Sequence, residues 1–542
     1  MGRDADLVIV GATLEPTDDR TARADALAVR EGRIVALGSS AEVRGLAGPT
    51  TRVVELRGES LLPGFQDAHI HPIHGGLLRD ACDLHDLTDA SAYLAAIAGY
   101  AAAHPDRAWI TGSGWAMPAF AGGNPTRAVL DEVVADRPVF LWSRDGHSAW
   151  VNGRALEVAG IGSGTNDPPD GRIERDEGGA PSGTLHEGAA DLVDRHIPNP
   201  TADELASALR EAQGYLHSLG VTAWQDARAT GAELAAYREA AVSGWLTARV
   251  VASQLWDTGR GLEQIPGLVA ERTASSMDRL QAGTVKFFVD GIIENGTAFM
   301  TAPYLDAGGQ PTANLGMPML EPELLRRAVI ALDELGFQCH FHAIGDGAIR
   351  LALDVIEAAR DRNGPTDRRH HIAHLEVINP VDLPRFATLG ATATIQPIWA
   401  TLDSQMVELR IPVLGPARVA WQYSFRSLQR AGARLAGGSD WTVSTPDPLL
   451  EVEAAVTRVD ADERGMDPFL PDERLDLDTA LRAYTIGSAF VNRLDASTGS
   501  LEVGKLADLV ILDRNLRAPD AGPIGDARVR HTFVDGQEVY PA

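Results

Sequence analysis

The sequence predicts an α/β protein, a (β/α)8 TIM-like barrel carrying a small β-sandwich domain formed by the N- and C-terminal segments. Two observations predict the barrel. A junction of helix, glycine and strand recurs at Ser-Leu-Gly-Val (218–221), Glu-Leu-Gly-Phe (334–337), Thr-Leu-Gly-Ala (388–391) and Arg-Ala-Gly-Ala (430–433), with glycine where a helix ends in a left-handed cap. A short apolar segment follows each junction, and amphipathic stretches such as 202–219 and 322–335 precede them, the pattern of parallel β/α units. A third observation predicts the sandwich: Ala-Asp-Leu-Val-Ile-Val at 5–10 is echoed by Ala-Asp-Leu-Val-Ile-Leu at 507–512.

Taken in order, strand 5–10 is followed by a strand-like segment at 26–37 with Glu-Gly-Arg inside it, and strand 507–512 by one at 528–540 with Asp-Gly inside it. Hairpins from opposite ends pair only if the termini meet, so one β domain is expected from residues 1–60 and 500–542. The barrel then occupies 61–499, with strands at 62–69, 221–226, 249–253, 285–290, 338–343, 371–376, 391–396 and 434–439. A long insertion at about 77–200 separates the first two, and its Gly-, Ser- and Pro-rich stretches 160–170 and 175–183 read as loops. An open, doubly wound sheet is the alternative arrangement of these elements.

Composition narrows the partners. With 75 acidic and 48 basic residues the chain carries a formal charge of −27, which argues against nucleic acid and anionic membranes, since phosphate binding needs concentrated cations. No apolar run approaches the roughly 18 residues of a membrane span. The start, Met-Gly-Arg-Asp-Ala-Asp-Leu, is acidic and lacks the basic and apolar regions of a signal peptide, and Asp6 stands where N-myristoylation favours Ser or Thr. Two cysteines, Cys82 and Cys339, cannot build a disulfide framework. The expectation is a cytoplasmic protein whose partner is a small molecule, with a homodimer left open.

Lysine occurs only at Lys286 and Lys505 among the 48 basic residues. Where arginine otherwise supplies positive charge, a retained lysine invites a role that a guanidinium cannot fill, such as losing its proton. Lys286 lies in Thr-Val-Lys-Phe-Phe-Val-Asp-Gly (284–291), which reads as a short buried strand. A lysine paired with Asp290 is the structural alternative.

Barrel enzymes keep their active sites at the carboxyl ends of the strands. The first strand leads into Gly-Phe-Gln-Asp-Ala-His-Ile-His (64–71), where His69 and His71 point to one side of extended backbone and can share a cation. Alone, His-x-His does not separate a metal site from structural histidines. Lys286 on the fourth strand, His342 on the fifth, His374 on the sixth and Asp440 after the eighth complete a set that falls on or just after strands of one barrel. His340 and His370 are near neighbours that could be mistaken for members of it.

With these motifs the chain resembles the amidohydrolase superfamily, and within it amidohydrolase family 3. The resemblance rests on Leu-Pro-Gly-Phe-Gln-Asp-Ala-His-Ile-His (62–71), Gly-His-Ser-Ala-Trp-Val-Asn (146–152), Val-Lys-Phe-Phe-Val-Asp-Gly (285–291), His-Ala-Ile-Gly-Asp (342–346), Gly-Ser-Asp-Trp (438–441) and Gly-Ser-Leu-Glu-Val-Gly-Lys-Leu-Ala-Asp-Leu-Val (499–510). It implies a metal-dependent hydrolase with His69, His71, Lys286, His342, His374 and Asp440 as ligands of one or two divalent cations, zinc suiting the donors best and iron, manganese or nickel being alternatives. Lys286 would carry an N6-carboxyl group bridging two metals. Ala373 departs from the family, where glutamate is common before the histidine, so an outer carboxylate is either missing or supplied by Glu376.

The implied reaction is cleavage of a non-peptide carbon–nitrogen bond in a small amide, N-substituted formamide, carbamate or cyclic amide. Metal-activated hydroxide would attack while Asp440 serves as general base and then acid. N-substituted formamide deformylase is the best-defined activity of similar length and motif order. His147, in the insertion, is the candidate to polarise a carbonyl, and Trp115, Phe288 and Trp441 are candidates for the substrate pocket. Glu187 is a further loop carboxylate without an assigned purpose. Ester or phosphotriester hydrolysis on the same site, a mononuclear isomerase or lyase, and a non-catalytic barrel are the competing functions.

Overall fold

Eight parallel strands make the central sheet: β1 (Phe65–Ile70), β2 (Val221–Ala229), β3 (Arg249–Leu255), β4 (Leu280–Phe288), β5 (Gln338–Ala343), β6 (His371–His374), β7 (Thr392–Ile395) and β8 (Arg434–Gly437), hydrogen-bonded in that order. This is a computed structural model and describes residues 4–15 and 24–541; Met1–Arg3, the start of the acidic segment read above, lie outside them. The sheet is nearly closed rather than open: just past β8, the Asp440 N–H donates to His69 O at 2.7 Å, and the His71 N–H donates to Trp441 O at 2.9 Å. Closure needs a residue without a side chain, since a Cβ on Gly438 would stand 2.7 Å from that of His69.

Local sequence explains the units. The helix Ala202–Ser218 starts in a capping box, Thr201 Oγ1 accepting from the Glu204 N–H while the Glu204 carboxylate accepts from the Thr201 N–H. Its buried stripe of Leu205, Leu209, Ala212 and Leu216 faces the sheet. Gly220, Gly336, Gly390 and Gly432, the four junction glycines, all adopt positive φ, between 72° and 86°.

The segment expected as one strand at 62–69 is two. Ser60–Pro63 joins the sandwich, where Leu62 pairs with Val510, and Phe65–Ile70 joins the barrel, where Phe65 pairs with Val221. The break falls at Gly64, whose missing Cβ leaves room for Thr222, 2.3 Å from where it would sit. The strand expected at 371–376 ends at His374, because His374 and Leu375 turn to φ of 79° and 55°.

The two ends of the chain do meet in one sandwich, but only one of its sheets pairs end with end. One sheet, in the order Arg33–Gly38, Ala26–Arg30, Ala5–Val10 and Ala47–Glu55, is all amino-terminal. The other joins Thr13–Leu14 and Ser60–Pro63 to Leu509–Leu512, Val529–Val534 and Gln537–Tyr540. The two similar strands therefore lie in separate sheets, and Leu7, Ile9, Leu27, Leu61, Leu509, Ile511 and Phe533 form the apolar layer they share. A buried ion pair, Arg249 Nε to Asp508 Oδ2 at 2.9 Å, ties the sandwich to β3.

Between β1 and β2 the chain builds a six-stranded sheet, ordered Gly171–Arg175, Pro181–Glu187, Ser148–Val151, Val139–Ser143, Ile110–Trp115 and Cys82–Asp83. The stretch 175–183, expected as a loop, is the turn and flanks of an antiparallel hairpin in it. The apolar core of this sheet runs on into Ile292, Met300, Tyr304 and Ile344, from segments that follow β4 and β5, so the insertion sits over the carboxyl end of the barrel. Among the described residues no helix is long and apolar enough to cross a membrane.

Candidate metal centre

The carboxyl ends of β1, β4, β5, β6 and β8 converge on one buried point. His69 is the last residue but one of β1 and His71 directly follows the strand, their ring centroids 5.6 Å apart. Lys286 on β4 brings Nζ to 3.3 Å from His69 Nε2. His342 from β5 and His374 from β6 stack edge to face with centroids 4.4 Å apart, and the His374 ring lies 4.7 Å from that of His69. Asp440, beyond β8, sets Oδ1 3.0 Å from His71 Nε2 and 3.4 Å from His69 Nε2. The structure thus brings together all six side chains expected as ligands. His374 and Asp440 both hold left-handed backbone, Asp440 at φ of 54°, a conformation costly for side chains of this kind and concentrated at functional sites.

The donor set fits a divalent cation. His69, His374 and Asp440 offer ligand atoms within 4.8 Å of one another. His342 Nε2 and His374 Nδ1 are buried without hydrogen-bond partners, an expensive state for polar atoms that a cation relieves. Burial, with the Lys286 charge next, pushes the His69 imidazolium down to about 3, and burial holds His342 and His374 well below the ordinary histidine value, so these rings are neutral and their lone pairs are open to a metal. Asp440 stays ionised: burial opposes this, but His69 and His71 hold its carboxyl well below the usual range.

Further residues orient three of these six, His69, His374 and Asp440. His340 Nε2 and His69 Nδ1 share a hydrogen bond of 2.8 Å, which directs His69 Nε2 into the centre, and His340 Nδ1 lies 3.1 Å from Ser253 Oγ. Asp67 Oδ1 accepts from the His69 N–H at 2.9 Å and from the Ser439 N–H at 3.2 Å, joining β1 to the segment that carries Asp440. Gln396 Oε1 accepts from the His374 N–H at 3.0 Å, and Trp399 stacks on the His374 ring at 5.1 Å. Sequence reading had left these roles unassigned; the alternation in His-Phe-His, which puts His340 and His342 on one strand face, was the available sign for His340.

Two adjoining cavities open on the centre. One, of about 480 Å³, is lined by His147, His342, His374, Asp440 and Trp441. The other, of about 290 Å³, is lined by His69, His71, His147, Lys286 and Phe288. His147 Nδ1 is 2.7 Å from Glu187 Oε2, and Glu187 Oε1 accepts from Thr297 Oγ1 at 2.8 Å. Burial alone would lower the His147 pKa, but the Glu187 carboxylate outweighs it and pushes the imidazolium up to about 9. The insertion therefore presents a fixed cation to the cavities.

Two expectations are corrected. Trp115 lines neither cavity: it is fully buried in the insertion core against Trp150 and Phe120, its Nε1 donating to Leu141 O at 2.8 Å. Glu376 does not replace the carboxylate absent at Ala373, because it is directed to Arg410, 3.5 Å away. His370, the other near neighbour, lies before β6 and accepts the Cys339 N–H at 2.9 Å. Lys505 donates to Thr498 O at 3.1 Å in the sandwich connection.

The chain is similar to known proteins over nearly its whole length. The chain is 32% identical to the protein LONG AFTER FAR-RED 3 of Arabidopsis thaliana, over 99% of its own length and 92% of the relative's. It is 29% identical to an N-substituted formamide deformylase of Arthrobacter pascens, over 98% of this chain and 97% of that one. The crystal structure of a metal-dependent hydrolase from Pyrococcus horikoshii superposes with a TM-score of 0.74 at 26% identity, covering 96% of this chain and 99% of that chain. With residues 52–540 matching the family model described as amidohydrolase family, the chain belongs to the amidohydrolase family.

Proposed function

We propose that the protein is a metal-dependent hydrolase cleaving a non-peptide carbon–nitrogen bond of a small molecule, an amide, N-substituted formamide, carbamate or cyclic amide. The observation that carries this reading is the convergence of six side chains on one point where His342 Nε2 and His374 Nδ1 lack partners. Likeness to an N-substituted formamide deformylase over 98% of the chain supports the bond class. When bound, one or two cations, zinc first by the donor set, supply Lewis acidity to the carbonyl and acidify water.

The side chains divide the remaining work. His69, His71, Lys286 and Asp440 would hold one cation, and Lys286, His342 and His374 the other. Burial pushes the Lys286 ammonium down to about 7, so a large neutral fraction exists at neutral pH. The neutral nitrogen adds the carbon of carbon dioxide and releases one proton, which leaves a carbamate with two oxygens. Asp440, ionised beside the site of attack, takes the proton of the attacking water and passes it to the departing amine. His147, held cationic by Glu187, donates to the carbonyl oxygen as charge develops there.

The test is a panel of N-formyl amines, amides, carbamates and cyclic amides, run beside aryl esters and phosphotriesters on the metal-replete protein. Turnover of the carbon–nitrogen substrates is expected. Turnover confined to esters or phosphotriesters would contradict the reading.

A further inference from the structure

At the other end of the barrel a second concave site lies apart from the metal centre. A cavity of about 260 Å³ opens where β6, β7 and β8 begin, at His370, Thr392 and Arg434. Arg360, Arg368, Arg369 and Arg434 line it against only two carboxylates, Asp333 and Asp367. In a chain of formal charge −27 this local positive excess runs against the whole, and a cleft lined by one sign of charge concentrates counter-ions.

Both carboxylates face arginines of the same lining, Asp333 facing Arg368 and Asp367 facing Arg369, so the free excess lies with Arg434 and Arg360. Asp333 accepts from Asn363 Nδ2 at 2.8 Å, shares a hydrogen bond of 3.2 Å with His370 Nε2 and faces Arg368 Nε at 3.6 Å. Asp367 pairs with Arg369 at 3.0 Å, and Arg369 reaches Asp495 at 2.7 Å. Arg434 differs: among the described residues it has no hydrogen bond or ion pair, and its guanidinium lies 3.8 Å from the centroid of Phe490. Arg369 lies 4.1 Å from the same centroid, so one phenyl ring positions two guanidiniums while leaving the Arg434 donors uncommitted. Arg360 gives Nη1 to Thr388 O at 3.0 Å.

An independent observation points to a ligand. Thr392, 1% exposed, lines this cavity, and its Oγ1 has no hydrogen-bond partner. Stacking on Phe490 accounts for the placement of Arg434 but not for an unpartnered buried hydroxyl in the same lining. An oxygen-rich ligand held by the arginines would satisfy it.

We propose that this cavity binds a phosphate-sized dianion, held by the guanidiniums of Arg434 and Arg360 and by the Thr392 hydroxyl. A phosphate group carries nearly two negative charges at neutral pH and accepts from planar guanidinium forks. The free ion and the phosphate end of a small metabolite share this chemistry.

The experiment is calorimetric titration of the full-length protein as purified with inorganic phosphate at constant ionic strength, with glycerol phosphate and succinate as parallel arms. One saturable phosphate site is expected, weakened roughly tenfold or more in Arg434→Ala and in Arg434→Gln, which keeps a planar group over Phe490. Arg326→Ala, at an exposed arginine paired with Glu323, and Asp440→Asn, at the metal centre, should both leave it unchanged. Tighter binding of glycerol phosphate than of phosphate would assign an ester as the ligand, and equal binding the free ion. The proposal is overturned by the absence of saturable binding, by unaltered affinity in both Arg434 variants, by tighter binding of succinate than of either phosphate, or by loss of binding in Asp440→Asn.

Discussion

Lys286 and His69 meet nitrogen to nitrogen, Nζ 3.3 Å from Nε2, and among the described residues no carboxylate is ion-paired with the lysine. Asp290, the partner a structural lysine would have taken, instead accepts the backbone N–H groups of Phe299, Ile344 and Gly345. An ammonium buried beside a neutral imidazole is unstable as such, and it either loses its proton or changes chemically. That single contact makes carboxylation of Lys286 the economical account of a buried lysine in a chain that uses arginine almost everywhere else.

Lys286→Arg keeps the charge but cannot form a carbamate. Metal content measured by mass spectrometry should fall, with affinity weakened beyond the roughly 10- to 100-fold that follows loss of a partner one contact removed from the metal. Full metal loading and full activity in this variant would refute the bridging role.

Asp440→Asn removes the carboxylate proposed as the proton acceptor. A loss in kcat of about 10²- to 10⁴-fold is expected, with a much smaller change in substrate affinity. Single-turnover and binding measurements on one substrate separate the two.

On the proposed role of His147, its pairing with Glu187 sets an alkaline limit to activity. His147 is protonated below about 9, so activity that needs its cation should fall as pH rises through about 9. In Glu187→Gln the fall should begin nearer the ordinary histidine value of about 6.5. The pair's contribution to stability follows the same sign, fully present below about 6.5 and lost as pH rises through about 9. An unmoved alkaline limb in the variant would dissociate His147 from the reaction.

His340→Ala deletes the hydrogen bond that orients His69. Metal affinity is expected to drop by roughly 10- to 100-fold while the fold persists, read by competition with a chelator.

Trp115→Ala tests the correction to the pocket. As a fully buried core residue its loss should cost about 3–5 kcal/mol in denaturant unfolding. KM measured below the transition should stay unchanged.

Much of this was legible in the sequence for definite physical reasons. Glycines that must turn left-handed mark the ends of helices, so the β/α repeat shows in Gly220, Gly336, Gly390 and Gly432. Side chains two apart on a strand share a face, so His69 and His71 declare themselves together. What stayed hidden depends on contacts far apart in the chain. The kink at Gly64 is dictated by Thr222, the sandwich places similar strands in different sheets, and Trp115 is drawn into a core shared with Trp150 and Phe120. Glu187 gains its partner only when the insertion sheet brings it to His147, 40 residues away.

The most direct test of the central claim is a high-resolution electron-density map of the metal-replete protein with anomalous scattering recorded at the metal edge. The account predicts three extra atoms on Lys286 Nζ lying between two metal peaks, one beside His69, His71 and Asp440 and the other beside His342 and His374. A bare ammonium at Lys286 with no metal peak near these residues would contradict it.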